Sequence, residues 1–106
     1  MNTNTTPGIE TSLPLASMVA PFVSDERINE VIVGADFYVF PGTTLTVCCL
    51  TLKNGFTVLG ESACASAENF DALLGQKYAL LKATSKVYEL EAYALKERLT
   101  TPAAAN

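Results

Sequence analysis

Histidine is absent from the 106 residues. That removes the commonest general base and metal ligand, and with it the usual triads and most zinc sites. Three cysteines remain, Cys48, Cys49 and Cys64. Neighbours on a strand point to opposite faces, so Cys48 and Cys49 cannot chelate one metal together. An odd number without framework spacing is no disulfide scaffold either, and the simplest expectation is small buried thiols in a reducing cytosol. Among the carboxylates, Glu89 and Glu91 stand two apart and diverge on a helix. Glu61 falls on a strand opposite Cys48 and could be a buried functional acid, but no paired residue is visible, so a structural or surface role is expected. There is no Gly-x-Ser-x-Gly elbow, and Gly55, Gly60 and Gly75 do not form a phosphate-cradling loop. The residues name no nucleophile, base or metal constellation. The expectation is a protein that is not an enzyme and uses no cofactor or metal.

Cations and aromatics carry more promise. Lys77, Lys82, Lys86, Lys96 and Arg98 all fall on one long helical stretch. Ordinary solvation with weak pairs, such as Lys86 with Glu89, is the plain account. The sharper one uses Lys96 and Arg98 at the helix end, where cations from neighbouring subunits could converge on a phosphate while Phe70 stacks on a base. Phe70 on a short capped helix is more often a core anchor, and Tyr88 lies in an apolar stripe. Tyr78 and Tyr93, near the polar strip, are better candidates for a ligand or interface role. A net charge of −4 argues against a nucleic-acid polymer as partner, because such binding draws on phosphate neutralisation. A small phosphorylated ligand needs only a few local cations.

The elements that must position these groups can be read from pattern. Ser24-Asp25-Glu26 before Ile28, Val31 and Ile32 predicts a short capped helix ended by Gly34. Asp36 to Phe40 has strand composition and is closed by a turn at Pro41-Gly42. Leu45–Lys53 and Phe56–Ala63 flank Asn54-Gly55, which predicts a hairpin with a two-residue turn. That turn would set Lys53 against Phe56, Leu52 against Thr57, Thr51 against Val58, Leu50 against Leu59 and Cys48 against Glu61. One face would then carry Leu45, Val47, Cys49, Phe56 and Val58, and the other Cys48, Leu50, Leu52, Leu59 and Ala63. Both are apolar, so one should meet helices and the other a second subunit.

Ser66 is expected to cap a helix over Ala67–Leu74 that Gly75 ends, and a long helix should run from about Gln76 to Leu99, stopped before Pro102. Its apolar residues form two stripes, Leu80, Ala83, Val87, Leu90 and Ala94, and Leu81, Tyr88, Ala92, Leu95 and Leu99. A polar strip holds Lys82, Glu89 and Lys96. A helix with two stripes is wedged between partners. The expected architecture is therefore α+β: a three-stranded antiparallel meander packed on a short helix and a long C-terminal helix, in a homo-oligomer.

Bulk properties agree. The chain is 49% hydrophobic and 17% charged, more apolar than a core of this size can hide, which again points to subunit contacts. No apolar run approaches the roughly 18 residues needed to span a bilayer. Leu13–Val23 is broken by Pro14 and Pro21 and lacks a basic leader, so a signal peptide is not expected there. Residues 1–23 and 100–106 are expected to be flexible tails around a single domain over 24–99.

The run Thr43–Cys64 (TTLTVCCLTLKNGFTVLGESAC), then Glu68-Asn69-Phe70-Asp71, Gly75 and Tyr88–Leu99 (YELEAYALKERL), resembles the gene-49/gene-66 family of small tailed-phage proteins over about Val31–Leu99. That family looks related to the Thoeris anti-defense 1 sponges. The resemblance implies a phage protein of the host-cell cytoplasm that sequesters a cyclic nucleotide immune signal (glycocyclic ADP-ribose or cyclic oligonucleotides) without cleaving it. It implies a homo-oligomer, with a hexamer among the options, whose pockets form between subunits. Phe70 would stack on the ligand, Lys96 and Arg98 would contact phosphate, and Lys82 stands where relatives carry Asn in the helix. The chain also has Tyr88 where Trp is expected, Ala92 where Gly is, and Lys96 in place of an Arg. The alternative is an accessory protein that binds a host protein through an apolar surface.

Overall fold

A computed structural model describes residues 20–101. Of the expected tails over 1–23 and 100–106, residues 1–19 and 102–106 lie outside the described residues, while Val23 packs against the core and Thr100 ends the long helix. Helix α1 (Asp25–Val31) is followed by strands β1 (Ile32–Val39), β2 (Thr46–Leu52) and β3 (Thr57–Ser62), a 3₁₀ turn (Ala67–Asn69) and helix α2 (Ala72–Thr100). The strands form one antiparallel sheet in the order β1-β2-β3. The fold is α+β, with a short and a long helix as the pattern predicts.

The Ser24 hydroxyl accepts from the Arg27 amide at 3.1 Å, and Asp25 and Glu26 fill the first turn. Both favour the positive end of a helix. The helix stops earlier than expected. Ile32 is already extended, and Gly34, expected to end the helix, lies inside β1 beside a register irregularity between Ile32 and Gly34. The β-branched run Val31-Ile32-Val33 prefers strand to helix and moves the boundary forward.

The β2–β3 hairpin forms where Asn54-Gly55 places it, but one residue out of the expected register. Thr51 faces Thr57, Leu50 faces Val58, Cys49 faces Leu59, Cys48 faces Gly60 and Val47 faces Glu61. The loop holds three residues, not two: the Leu52 amide donates to the Phe56 carbonyl at 2.8 Å, and Gly55 takes a positive φ of 92°. The Asn54 side chain is used locally, accepting from the Phe56 amide at 3.0 Å. This is the alternative in which a turn is followed by one left-handed residue. A one-residue slip flips a strand's faces, so Val58 points inward, and Leu59 and Glu61 outward, the reverse of the expectation.

Thr46, Cys48, Leu50, Leu52 and Val58 are buried on the inner face of the sheet, against Ala79, Ala83 and Val87 of α2 and Ile28 and Val31 of α1. The opposite face exposes Tyr38, Phe40 and Leu59, with the first two rings in edge contact at 5.0 Å.

Helix α2 is one element starting at Ala72, and the helix expected over Ala67–Leu74 is only a 3₁₀ turn plus the first turn of α2. Asp71 decides this, because its Oδ1 accepts from the amides of Leu73 (3.0 Å) and Leu74 (3.2 Å). Gly75 is thus inside the helix, where it ends nothing. A Cβ there would lie 2.7 Å from Thr46 Oγ1, and one on Gly60 would lie 2.3 Å from both the Ala79 carbonyl oxygen and the Ala83 nitrogen. The helix backbone rests directly on β3. Of the first expected stripe, Ala83 and Val87 are buried, whereas Leu80 and Leu90 stay exposed and Ala79 takes the centre.

Candidate functional site

The start of α2, the 3₁₀ turn and the open ends of β2 and β3 enclose a recess of about 220 Å³. Phe70 and Tyr78 supply its aromatic walls, and Thr44, Ser62, Cys64, Asn69 and Asp71 its polar atoms. Phe70 is half-buried, held by the 3₁₀ turn through its amide bond to the Ala67 carbonyl, with Gly75 opening the space beside its ring. Thr44 donates to the Cys64 carbonyl at 2.6 Å, and the Cys64 thiol donates to the Ser66 carbonyl at 3.1 Å. Just outside, the Ser66 hydroxyl donates to Glu68 and holds its carboxyl below the usual range. A buried Thr46 hydroxyl with no partner among the described residues lies under Gly75.

At the other end of α2, Phe22 and Val23 with Tyr88, Ala92, Leu95 and Leu99 form an open apolar groove of about 510 Å³, with Glu89 and Lys96 on its rim. Val23 also packs against the core. The Tyr88 hydroxyl donates to Asp25, and this bond, with lesser help from burial, pushes its phenol above the ordinary value. Arg27 donates through Nε to Glu91 at 2.8 Å, and also reaches Glu30, so its guanidinium is held still more firmly protonated. These bonds lash α1 to α2.

The expected site residues are therefore dispersed in one copy. Phe70 is in the recess, Lys96 borders the distal groove, and Arg98 is exposed in the last turn, where a cation suits the helix dipole. Between Ala72 and Lys96 the helix extends about 36 Å at its usual rise. Lys82 is exposed partway along. A single ligand could touch Phe70, Lys96 and Arg98 together only if different copies supply them. Lys86 makes no pair with Glu89; its ammonium donates to the Leu59 carbonyl at 2.6 Å. The recess also uses Thr44, Ser62 and Cys64, which the sequence does not single out as a site, because nothing local marks two strand ends that meet only after folding.

Of the three thiols, Cys48 alone is fully buried, and burial, then its neighbours Cys49 and Asp36, pushes it up. Among the described residues no cluster of three or more Cys, Asp or Glu side chains could hold a metal ion. No described helix is long and apolar enough to cross a membrane.

Fold and recess together define a two-layer α+β domain with an aromatic-walled cleft at one end of its long helix. The chain belongs to the phage protein (N4 Gp49/phage Sf6 gene 66) family, whose model matches residues 23–99. No curated protein and no solved structure matches the chain.

Proposed function

We propose that this phage protein binds and sequesters a cyclic nucleotide immune signal, glycocyclic ADP-ribose or a cyclic oligonucleotide, in the host-cell cytoplasm without cleaving it. Membership of the phage family supports the setting, and the ligand class rests on the likeness of that family to the Thoeris anti-defense 1 sponges. The observation that carries the reading is the recess itself, where Phe70 and Tyr78 line the same space as hydroxyl and amide groups. Such a mixture suits a base and sugar, with stacking on an aromatic side chain worth about 1–3 kcal/mol per base. Lys96 and Arg98 contribute phosphate contacts from another copy of a homo-oligomer, and Lys82 lies between.

The test is retention and release. Protein is incubated with glycocyclic ADP-ribose or cyclic dinucleotides, and the free ligand is assayed before and after heat denaturation. Depletion followed by return of intact ligand on heating supports sequestration; degraded ligand means an enzyme, and no depletion removes this reading. Arg98→Ala should abolish depletion without changing the oligomer's mass, and unchanged depletion would remove Arg98 from the site.

A second reading, a surface that binds a host protein, rests on the outward Tyr38, Phe40 and Leu59 of the sheet. Capture of a defined host protein, lost on Tyr38→Ser and indifferent to nucleotides, would favour it.

A further inference from the structure

Helix α2 carries a second register that the fold uses only in part, where Tyr88 packs on the core and Phe22 and Val23 line the groove beside Leu95. Tyr78, Ser85, Ala92 and Leu99 recur every seven residues, and Leu74, Leu81, Tyr88 and Leu95 interleave with them at alternating steps of four and three. That is the a/d pattern of a coiled-coil seam, sustained over nearly four heptads. It lies away from the buried face of Ala79, Ala83 and Val87. Leu74 is 47% exposed, Tyr78 49%, Leu81 54% and Leu99 56%. The N-terminal half is a ridge of large side chains. The C-terminal half is the groove around Ala92, Leu95 and Leu99, walled by Phe22 and Val23.

We infer that α2 pairs antiparallel with α2 of a second copy of this chain, ridge into groove. In the full-length register Leu81 faces the partner's Ala92, Tyr88 faces the partner's Ser85, and Leu74 faces the partner's Leu99. Large side chains meet small ones or the groove. Antiparallel helices set e positions against e positions, which puts Lys82 beside the partner's Glu89 on both sides of the two-fold axis. A parallel pair fits worse. It would put Tyr88 against its own copy and Ser85 against its own copy. Its Lys77 beside the partner's Lys82 is matched by Lys77 beside the partner's Arg98 in the antiparallel register, so packing decides between them. Its one favourable contact, Glu91 with the partner's Lys96, would compete with Arg27, which already holds Glu91 at 2.8 Å.

The pairing extends the self-association in the proposed function but does not depend on the nucleotide. One consequence does rest on that reading. The antiparallel register brings Lys77 and the recess of Phe70 level with the partner's Lys96 and Arg98. Cations that repel one another would gather where an anionic ligand relieves them.

The full chain's mass by light scattering, read with far-ultraviolet circular dichroism, tests the seam. Leu81→Glu, at an exposed position, should keep the helical spectrum, weaken association at least about 30-fold, as for a central interface residue, and at least halve the mass. Lys82→Glu should weaken association several-fold, and Lys82→Glu with Glu89→Lys should restore it. A monomeric wild type would overturn the seam and self-association together. An oligomer whose mass ignores Leu81→Glu would overturn the seam and leave self-association standing, through another surface. A double exchange no better than Lys82→Glu would overturn the antiparallel register. Ligand depletion, assayed separately, decides the nucleotide.

Discussion

The two long faces of α2 invert the usual division of a surface helix. Toward the sheet it presents Gly75, Ala79, Ala83 and Val87; away from the sheet it presents Leu74, Tyr78, Leu81 and Leu99. A helix whose only task were to cover the sheet would turn its large residues inward. Here the inner face favours close approach, so that the helix backbone touches Gly60, and the larger apolar side chains are left for something else. The inner face makes the monomer. The outer face has the pattern of an interface, and substitutions on the two should behave differently.

The inner face is the easier to break. Gly60→Ala puts a Cβ 2.3 Å from two backbone atoms of α2, which no rotamer change can relieve, so helix and sheet must separate. We predict a loss of about 3 kcal/mol or more, at the upper end for overpacked sites, measured by urea unfolding. Wild-type stability in Gly60→Ala would mean that the helix does not rest on β3.

Gly75 and Thr46 give a smaller and opposite effect. The Thr46 hydroxyl is buried under the helix without a partner among the described residues, a polar group whose removal should not cost a hydrogen bond. Thr46→Val keeps the shape and should stabilise by up to about 1 kcal/mol. A clear loss of stability would show that the hydroxyl has a partner, a water or a backbone group, and that the inner face is less dry than its small residues imply.

The contrast between the faces was only half legible in sequence. The meander, the Pro41-Gly42 turn, the Ser24 cap and the long helix follow from local rules of composition and periodicity, and the structure places them accordingly. The early end of α1 and the Asp71 cap have local causes, but the other errors arise where a residue answers to something distant. Asn54-Gly55 marks a hairpin, but whether the loop holds two residues or three depends on which strand face can be buried under α2, and that choice moved Val58 inward and Glu61 outward. Gly75 looks like a helix end because its partner, Thr46, is far away in sequence. Ala79 was invisible as a core residue beside the larger Leu80. The second stripe was visible, but Leu74 lay in what read as a separate helix and Tyr78 read as lying near the polar strip, so the start of the seven-residue repeat was hidden. The recess was legible only at Phe70 and Tyr78, because its polar groups come from strand ends with no motif of their own.

Tyr88 stands at the boundary of the two faces, packed on the core while its hydroxyl donates to Asp25. The bond requires the protonated phenol, and the folded value is raised above the ordinary one near 10. The stability it contributes is fully present below the ordinary value and is lost as the pH rises through the raised one. Tyr88→Phe should therefore match the wild type more closely at pH 11 than at pH 8 in urea midpoints. A difference that does not change with pH would mean the ring's packing matters and its hydroxyl does not.

The smallest effect is expected on the outer face, and it sharpens the comparison most. Leu81→Gln changes a side chain 54% exposed, so the fold of one copy should shift by no more than about 0.5 kcal/mol. A paired seam adds a second dependence, because binding that requires the folded state raises the melting temperature with protein concentration. The wild type should show that rise and Leu81→Gln should lose most of it, so that the two melt together when dilute and apart when concentrated. A wild-type melting temperature independent of concentration would remove the interface from the outer face. The inversion of α2 would then be explained by close approach to Gly60 alone.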